Sequence, residues 1–133
     1  MSKKNIFLGA LLAALVFAAG CSVSVTPLTC NSEGTPSAPR AISFFPTTGY
    51  VDSGCDSYYS TSVFAGETAV TIYSQTGDGD LKIYSDSGFS NLIDSSSNYG
   101  TAADTAYFSC NGTCPLYIKT YGYSTSYYAM DVY

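Results

Sequence analysis

Three kinds of side chain in this sequence could carry chemistry: aspartates in a glycine-rich stretch, paired cysteines and clustered tyrosines. Asp78 and Asp80 flank Gly79, and Asp86 follows a few residues on. Carboxylates so placed can offer oxygens to Ca2+, which takes about 6–8 of them. The same residues also suit a tight turn in which Asp78 and Asp80 accept hydrogen bonds from backbone amides ahead of a strand at Leu81. Both readings stay open. Ca2+ is the one ion to consider, and no cofactor is required. Tyr117, Tyr121, Tyr123 and Tyr127 fall on the outward set of two consecutive runs, which are expected to pair as strands. Adjacent rings on a flat sheet can stack on sugars or pack on a fibrous protein, or they can simply stabilise the sheet as cross-strand pairs. There is no His, so the commonest general base and metal ligand is missing. No G-x-S-x-G occurs, and Lys82 and Lys119 sit on strand faces expected to be solvated. No catalytic residue is assigned, and the chain is not expected to be an enzyme.

The elements that must position these residues follow a leader. Lys3 and Lys4 precede an apolar run from Ile6 to Ala19, in a chain of 133 residues. That run would make a helix of roughly 21 Å at about 1.5 Å per residue, short of the roughly 30 Å of a bilayer core. Residues 1–20 therefore read as a cleaved signal peptide. Ala18-Ala19-Gly20-Cys21 resembles a bacterial lipobox, in which the cysteine is lipidated and becomes the mature N-terminus. The alternative is ordinary cleavage that leaves Cys21 a free thiol. Cysteine arithmetic favours lipidation, because five Cys is an odd number and removing Cys21 leaves Cys30, Cys55, Cys110 and Cys114. Ser22 after the cysteine fits sorting to the outer membrane.

Without the leader, three basic residues face ten acidic ones, a net charge of −7. So acidic a domain should repel nucleic acid, which needs a basic stripe. Residues 21–40, the lipidated Cys and a Ser/Thr/Pro-rich stretch, read as a tether whose middle Cys30 can pin to the domain. Residues 41–133 form the folded part. Strand signals recur there at intervals of about 8–12 residues. Tyr59, Thr61 and Val63 share one face, as do Val70 and Ile72, Leu81 and Ile83, and Ala106 and Phe108. Leu116, Ile118 and Thr120 oppose Tyr117, Lys119 and Tyr121, and Tyr128, Met130 and Val132 oppose Tyr127, Ala129, Asp131 and Tyr133. This alternation predicts an all-β sandwich, jelly-roll-like, of about eight antiparallel strands. Large apolar residues are few, so tyrosine must enter the core; Tyr58, Tyr59, Tyr84 and Tyr107 are expected at its rim.

Cys110-Asn111-Gly112-Thr113-Cys114 lies between two strand signals and contains Asn-Gly, a strong turn dipeptide. The spacing favours a Cys110–Cys114 bridge across a hairpin neck, with Cys30–Cys55 as the second disulfide. A C-x3-C metal site is the rival, disfavoured because no His is present.

Three ordered blocks carry a family resemblance. Ser57-Tyr58-Tyr59 leads into Val63-Phe64-Ala65-Gly66; Thr76-Gly77-Asp78-Gly79-Asp80-Leu81-Lys82-Ile83-Tyr84 is similar to a Gly-Asp-Ala-Asp-Leu-Tyr-Val motif; and Leu116-Tyr117-Ile118-Lys119-Thr120-Tyr121-Gly122-Tyr123-Ser124 is similar to a closing Tyr-Tyr-Val-Arg-Val-Tyr-Gly-Tyr-Ser strand. From about Val51 to Tyr133 the chain thus resembles the bacterial pre-peptidase C-terminal domain. The resemblance implies a non-catalytic β-sandwich linked to secretion, processing or adhesion and usually appended to secreted hydrolases. No peptidase is expected upstream of it, which shifts weight towards adhesion or a structural surface role. The expectation is an envelope lipoprotein, tethered to the membrane by lipid on Cys21 and facing the periplasm or the cell surface. It would bind polysaccharide or an extracellular protein through a tyrosine-rich sheet face. The alternative is an accessory subunit docking on a secreted hydrolase or envelope assembly.

Overall fold

Exposed and buried side chains alternate along most of the chain, and every inward set expected from the sequence is inward. Leu81, Ile83, Ile118, Ile72, Val70, Met130 and Ala106 have no exposed surface, and Tyr59 is equally buried. The structure, a computed structural model, describes residues 29–133; the leader, the lipidation candidate Cys21 and the first part of the tether lie outside the described residues. The described residues form strands β1 (Arg40–Ala41), β2 (Thr47–Val51), β3 (Asp56–Phe64), β4 (Ala69–Thr76), β5 (Gly79–Tyr84), β6 (Leu92–Ser96), β7 (Asp104–Tyr107), β8 (Thr113–Gly122) and β9 (Ser126–Val132). They build two sheets, in the orders β1-β3-β8-β5-β6 and β2-β9-β4-β7. The architecture is an all-β sandwich. The ladders are antiparallel apart from the short β1–β3 pair.

Two tyrosines are the largest fully buried side chains, and their hydroxyls set a condition on the core. A buried hydroxyl without a partner costs about 1–3 kcal/mol. Here the groups form a chain. Tyr59 Oη lies 2.6 Å from Glu33 Oε2 and 2.5 Å from Tyr128 Oη, which lies 2.7 Å from Thr120 Oγ1. A carboxylate only accepts, so the protons run from Thr120 to Tyr128, to Tyr59, to Glu33. Burial holds the Tyr128 phenol up at about 12. Burial, then Tyr128 and Glu33, drive Tyr59 higher still. Gly49 on β2 makes room for this chain, since a Cβ there would lie 2.2 Å from the Tyr128 ring.

The stretch expected to be a tether up to Arg40 is packed on the sandwich from Cys30 onward. The Cys30–Cys55 disulfide ties it to the start of β3 across a separation of 25 residues. A loop of that size makes such a link worth about 3 kcal/mol. Glu33 then supplies the anchor. Its N–H donates to Ser57 Oγ at 2.9 Å, its carbonyl accepts from the Tyr58 N–H at 2.7 Å, and its carboxylate pairs with Arg40 at 2.7 Å. The polar composition that suggests a loose linker is real. What fixes the segment is one carboxylate and one disulfide, which composition does not weigh. The segment also supplies β1, the strand beyond the expected eight, which runs parallel to β3. Cys110 and Cys114 form the second disulfide as expected, but the loop they close joins β7 to β8 across the two sheets and is not a hairpin neck.

Replacing Glu33 by Ala strands the Tyr59 hydroxyl and releases Arg40. Urea unfolding of Glu33→Ala should show a loss of about 2 kcal/mol; a change near zero would mean the segment is not held by this carboxylate.

Candidate binding surfaces

The four tyrosines expected on one face do not share one. β8 belongs to the five-stranded sheet and β9 to the four-stranded sheet. The chain crosses between the sheets at Gly122–Thr125, where Asp78 O accepts from the N–H groups of Tyr123 and Ser124 at 2.9 and 3.2 Å. Gly122 is needed at the corner, because a Cβ would lie 2.3 Å from Asp52 O. Tyr117 and Tyr121 therefore sit on the outer face of the five-stranded sheet, Tyr127 on the opposite face of the molecule, and Tyr123 on the connecting corner. The expected β8–β9 hairpin fails because a sandwich lets consecutive strands lie in different layers.

The outer face of the five-stranded sheet is partly closed. Phe89, in the β5–β6 loop, packs edge-on against Tyr58, Tyr84 and Tyr117, with ring centroids 4.9, 5.5 and 5.8 Å away. Phe89 has φ +53°, which is uncommon outside glycine. Asp86 holds the loop in that shape. Its carboxylate accepts from the Asn91 N–H at 2.6 Å, the Ser90 hydroxyl at 2.7 Å and the Gly88 N–H at 3.1 Å. Those bonds, led by that from Asn91, pull the Asp86 carboxyl below its ordinary value of 3.8. Asp86 is thus a loop clamp beyond the far end of β5 from Asp78 and Asp80, and the expected trio of aspartates is split.

The four-stranded sheet carries the open tyrosine face. Tyr73, Tyr107, Tyr127 and Tyr133 are exposed, and Tyr50 stands beside Tyr127 with ring centroids 4.6 Å apart. The register places Tyr50 opposite Tyr127 and Tyr73 opposite Ala129. The Tyr50 hydroxyl donates to Asp52, and that bond, aided by burial and the Asp52 charge, pushes its pKa up to about 12. Thr71, Thr105 and Tyr133 share hydroxyl bonds of 2.8 and 2.9 Å between the rings. Of this face, the sequence singled out Tyr127 as a ligand contact. The outward parity of Tyr73 and Tyr133 was legible, but the β2–β9 pairing that adds Tyr50 was not. Tyr107, expected at the core rim, is on this outer face instead, because Asp104 and Ala106 take the inward positions of β7.

The aspartates meet a partner the sequence did not announce. Asp104 on β7 is fully buried; its Oδ1 accepts from the Ser96 hydroxyl and the Asn98 N–H, both at 2.7 Å. Its Oδ2 and Asp78 Oδ1 are buried with no hydrogen-bond partner. Burial, followed by the charges of Asp104 and Asp78, raises the Asp80 carboxyl above its ordinary value. The tight-turn reading is only half met. The turn is there, with Gly77 at φ +74°, but the main chain of Asp78 makes its bonds. Asp78, Asp80, Ser97, Asn98, Tyr99 and Tyr123 line a cleft of about 290 Å³. Among the described residues, no three His, Cys, Asp or Glu side chains converge as metal ligands do.

Neither a family model nor a curated protein sequence matches this chain. Among solved structures it is similar to the pre-peptidase C-terminal domain of a collagenase from Bacillus anthracis. The match has a TM-score of 0.56 at 16% identity and covers 76% of this chain and 100% of that one. The chain therefore carries a sandwich of the pre-peptidase C-terminal type in fold.

If Asp86 clamps Phe89 over Tyr117, Asp86→Ala should speed amide exchange across residues 86–91 and leave the core amides protected. The same loosening should appear in the unaltered protein in acid. A carboxylate whose folded pKa is lowered stabilises fully above the ordinary value of 3.8 and ceases to do so as pH falls through the lowered one. Loop protection that is full at pH 5 and is lost only once the pH has fallen below the ordinary carboxyl value of 3.8 is the expected profile.

Proposed function

We propose that this chain is a non-catalytic binding module of the bacterial envelope that holds polysaccharide on the outer face of its four-stranded sheet. The carrying observation is that face itself: Tyr50, Tyr73, Tyr107, Tyr127 and Tyr133 lie on one sheet, four of them well exposed, with Tyr50 and Tyr127 fixed against each other. Phenol rings offer broad apolar area with a polar tip and lose little entropy on binding. Thr48, Thr105 and Asp131 lie on the same face and supply hydroxyl and carboxyl partners for sugar hydroxyls. The rings are exposed side by side on an open face, which suits a chain running across it better than a small substrate held for chemistry. The fold type supports a binding or accessory role rather than catalysis. The module would be exported by the leader, lipidated at Cys21 and displayed from the outer membrane, with the acidic surface keeping it clear of nucleic acid.

The test is pull-down of the chain from Ser22 onward with envelope polysaccharides, with a fibrous extracellular protein and a secreted hydrolase run beside them. Three rings at about 1 kcal/mol each make Tyr50, Tyr73 and Tyr127→Ser together weaken polysaccharide binding by roughly a hundredfold. Tyr117 and Tyr121→Ser should leave it unchanged. Loss in the second variant alone would move the surface to the other sheet and sink this reading. Retention of only the fibrous protein would replace polysaccharide by an extracellular protein as the ligand, and retention of only the hydrolase would favour an accessory subunit instead.

A further inference from the structure

We infer that the cleft between the start of β5, the β6–β7 loop and the β8–β9 corner accepts a basic side chain, lysine or arginine, presented by a partner protein. It is separate from the tyrosine face and does not depend on that reading. The floor is acidic and short of partners. Asp78 is 9% exposed, lines the cleft, and buries Oδ1 with no hydrogen bond; Asp104, wholly buried behind it, leaves Oδ2 equally bare. A buried polar oxygen left unpaired is costly, more so when charged. Buried polar groups in native structures are almost all hydrogen-bonded, so each exception calls for a reason, a bound ion among them. A third unpaired oxygen, Asp56 Oδ1, lies elsewhere, and its carboxylate is already ion-paired with Lys119 at 3.0 Å.

No cation of the described residues pairs with the cleft's carboxylates. Arg40 is held by Glu33 and Lys119 by Asp56; Lys82, exposed two residues beyond Asp80, acts on the Asp80 carboxyl through its charge but forms no ion pair with Asp78, Asp80 or Asp104. The walls suit an organic cation. Tyr99 and Tyr123 are 91% and 69% exposed, so their rings border the cleft instead of filling the core, and Asn98 and Ser97 add polar groups to the lining. Aromatic faces attract ammonium and guanidinium groups, and carboxylates give them charge-assisted hydrogen bonds. Ca2+ fits less well. It needs about 6–8 oxygens at close range, and the acidic groups here do not converge as a ligand set. They are close enough to raise Asp80 electrostatically. One ammonium or guanidinium group needs only one or two of them.

The experiment is amide NMR titration of the purified protein with four probes: N-acetyl-lysine methylamide, its arginine analogue, the neutral norleucine analogue and Ca2+. The two cationic probes should shift Asn98, Tyr99 and Tyr123 saturably, with Kd on the order of 1–10 mM, a few kcal/mol of binding. Norleucine should not. Asp78→Asn should weaken the cationic probes at least tenfold and Tyr99→Ala several-fold. If Asp78→Asn does not fold, Asp80→Asn on the cleft wall reads the same loss. Equal shifts with norleucine, no localised shift with either cationic probe, or tight Ca2+ binding that amines cannot displace would each overturn the inference.

Discussion

A core that uses tyrosine where other sandwiches use leucine must find somewhere for its hydroxyls to point. Here Thr120, Tyr128 and Tyr59 pass the obligation along in a line, and Glu33 ends it. Much else follows from that endpoint. Glu33 has to be brought to the edge formed by β1 and β2, so the segment before β1 cannot hang free. The Cys30–Cys55 disulfide and the Arg40 ion pair hold it there. Gly49 has no side chain because the Tyr128 ring occupies the space a Cβ would take. A fully satisfied chain specifies one arrangement of the core. A chain missing one member would be worse than an apolar core, because the remaining hydroxyls would stay buried without water.

Parity was legible in the sequence, and pairing was not. Period-two alternation tells which residues of a strand face inward, and Leu81 with Ile83, Leu116 with Ile118, and Tyr128 with Met130 all do. It carries no information about which strand lies alongside, or in which layer. For that reason the adjacent runs of β8 and β9 looked like a hairpin, whereas each pairs with strands distant in sequence. The Cys110–Cys114 bridge could be read because its loop is local. Asp104 could not be read as a neighbour of Asp78 and Asp80, since only the closure of β7 against β4 brings it under β5. Glu33 was invisible for a related reason: its partners lie 7 to 26 residues away, and its own surroundings are polar.

The two sheets put the same residue type to different uses. On the five-stranded sheet, Tyr58, Tyr84 and Tyr117 are covered by Phe89, and Asp86 spends its whole carboxylate holding that loop. Those rings are roofed and act as a second small core. On the four-stranded sheet no loop of the described residues folds back over Tyr73, Tyr107, Tyr127 and Tyr133, and the rings are exposed. An exposed aromatic set of this kind runs against the tendency of soluble proteins to limit apolar patches. The contrast between the faces is more informative than the tyrosine content, because the chain has the means to cover such a face and, among the described residues, does so on one side only.

A second contrast runs from one edge of the sandwich to the other. At the β1–β2 edge every hydroxyl of the buried chain has a partner and the one carboxylate has a cation. At the β6–β7 edge two carboxyl oxygens are buried bare, in a chain rich in serine, threonine and asparagine that could have supplied donors. Ser96 and Asn98 show that donors reach this edge, yet they serve only one oxygen of Asp104. Sequences satisfy local rules nearly everywhere and break them where function asks for it. Two of the three such oxygens among the described residues lie at the floor beneath a cleft bordered by two exposed rings. Cost and opening coincide at one place, and a cation arriving from outside would relieve the cost there.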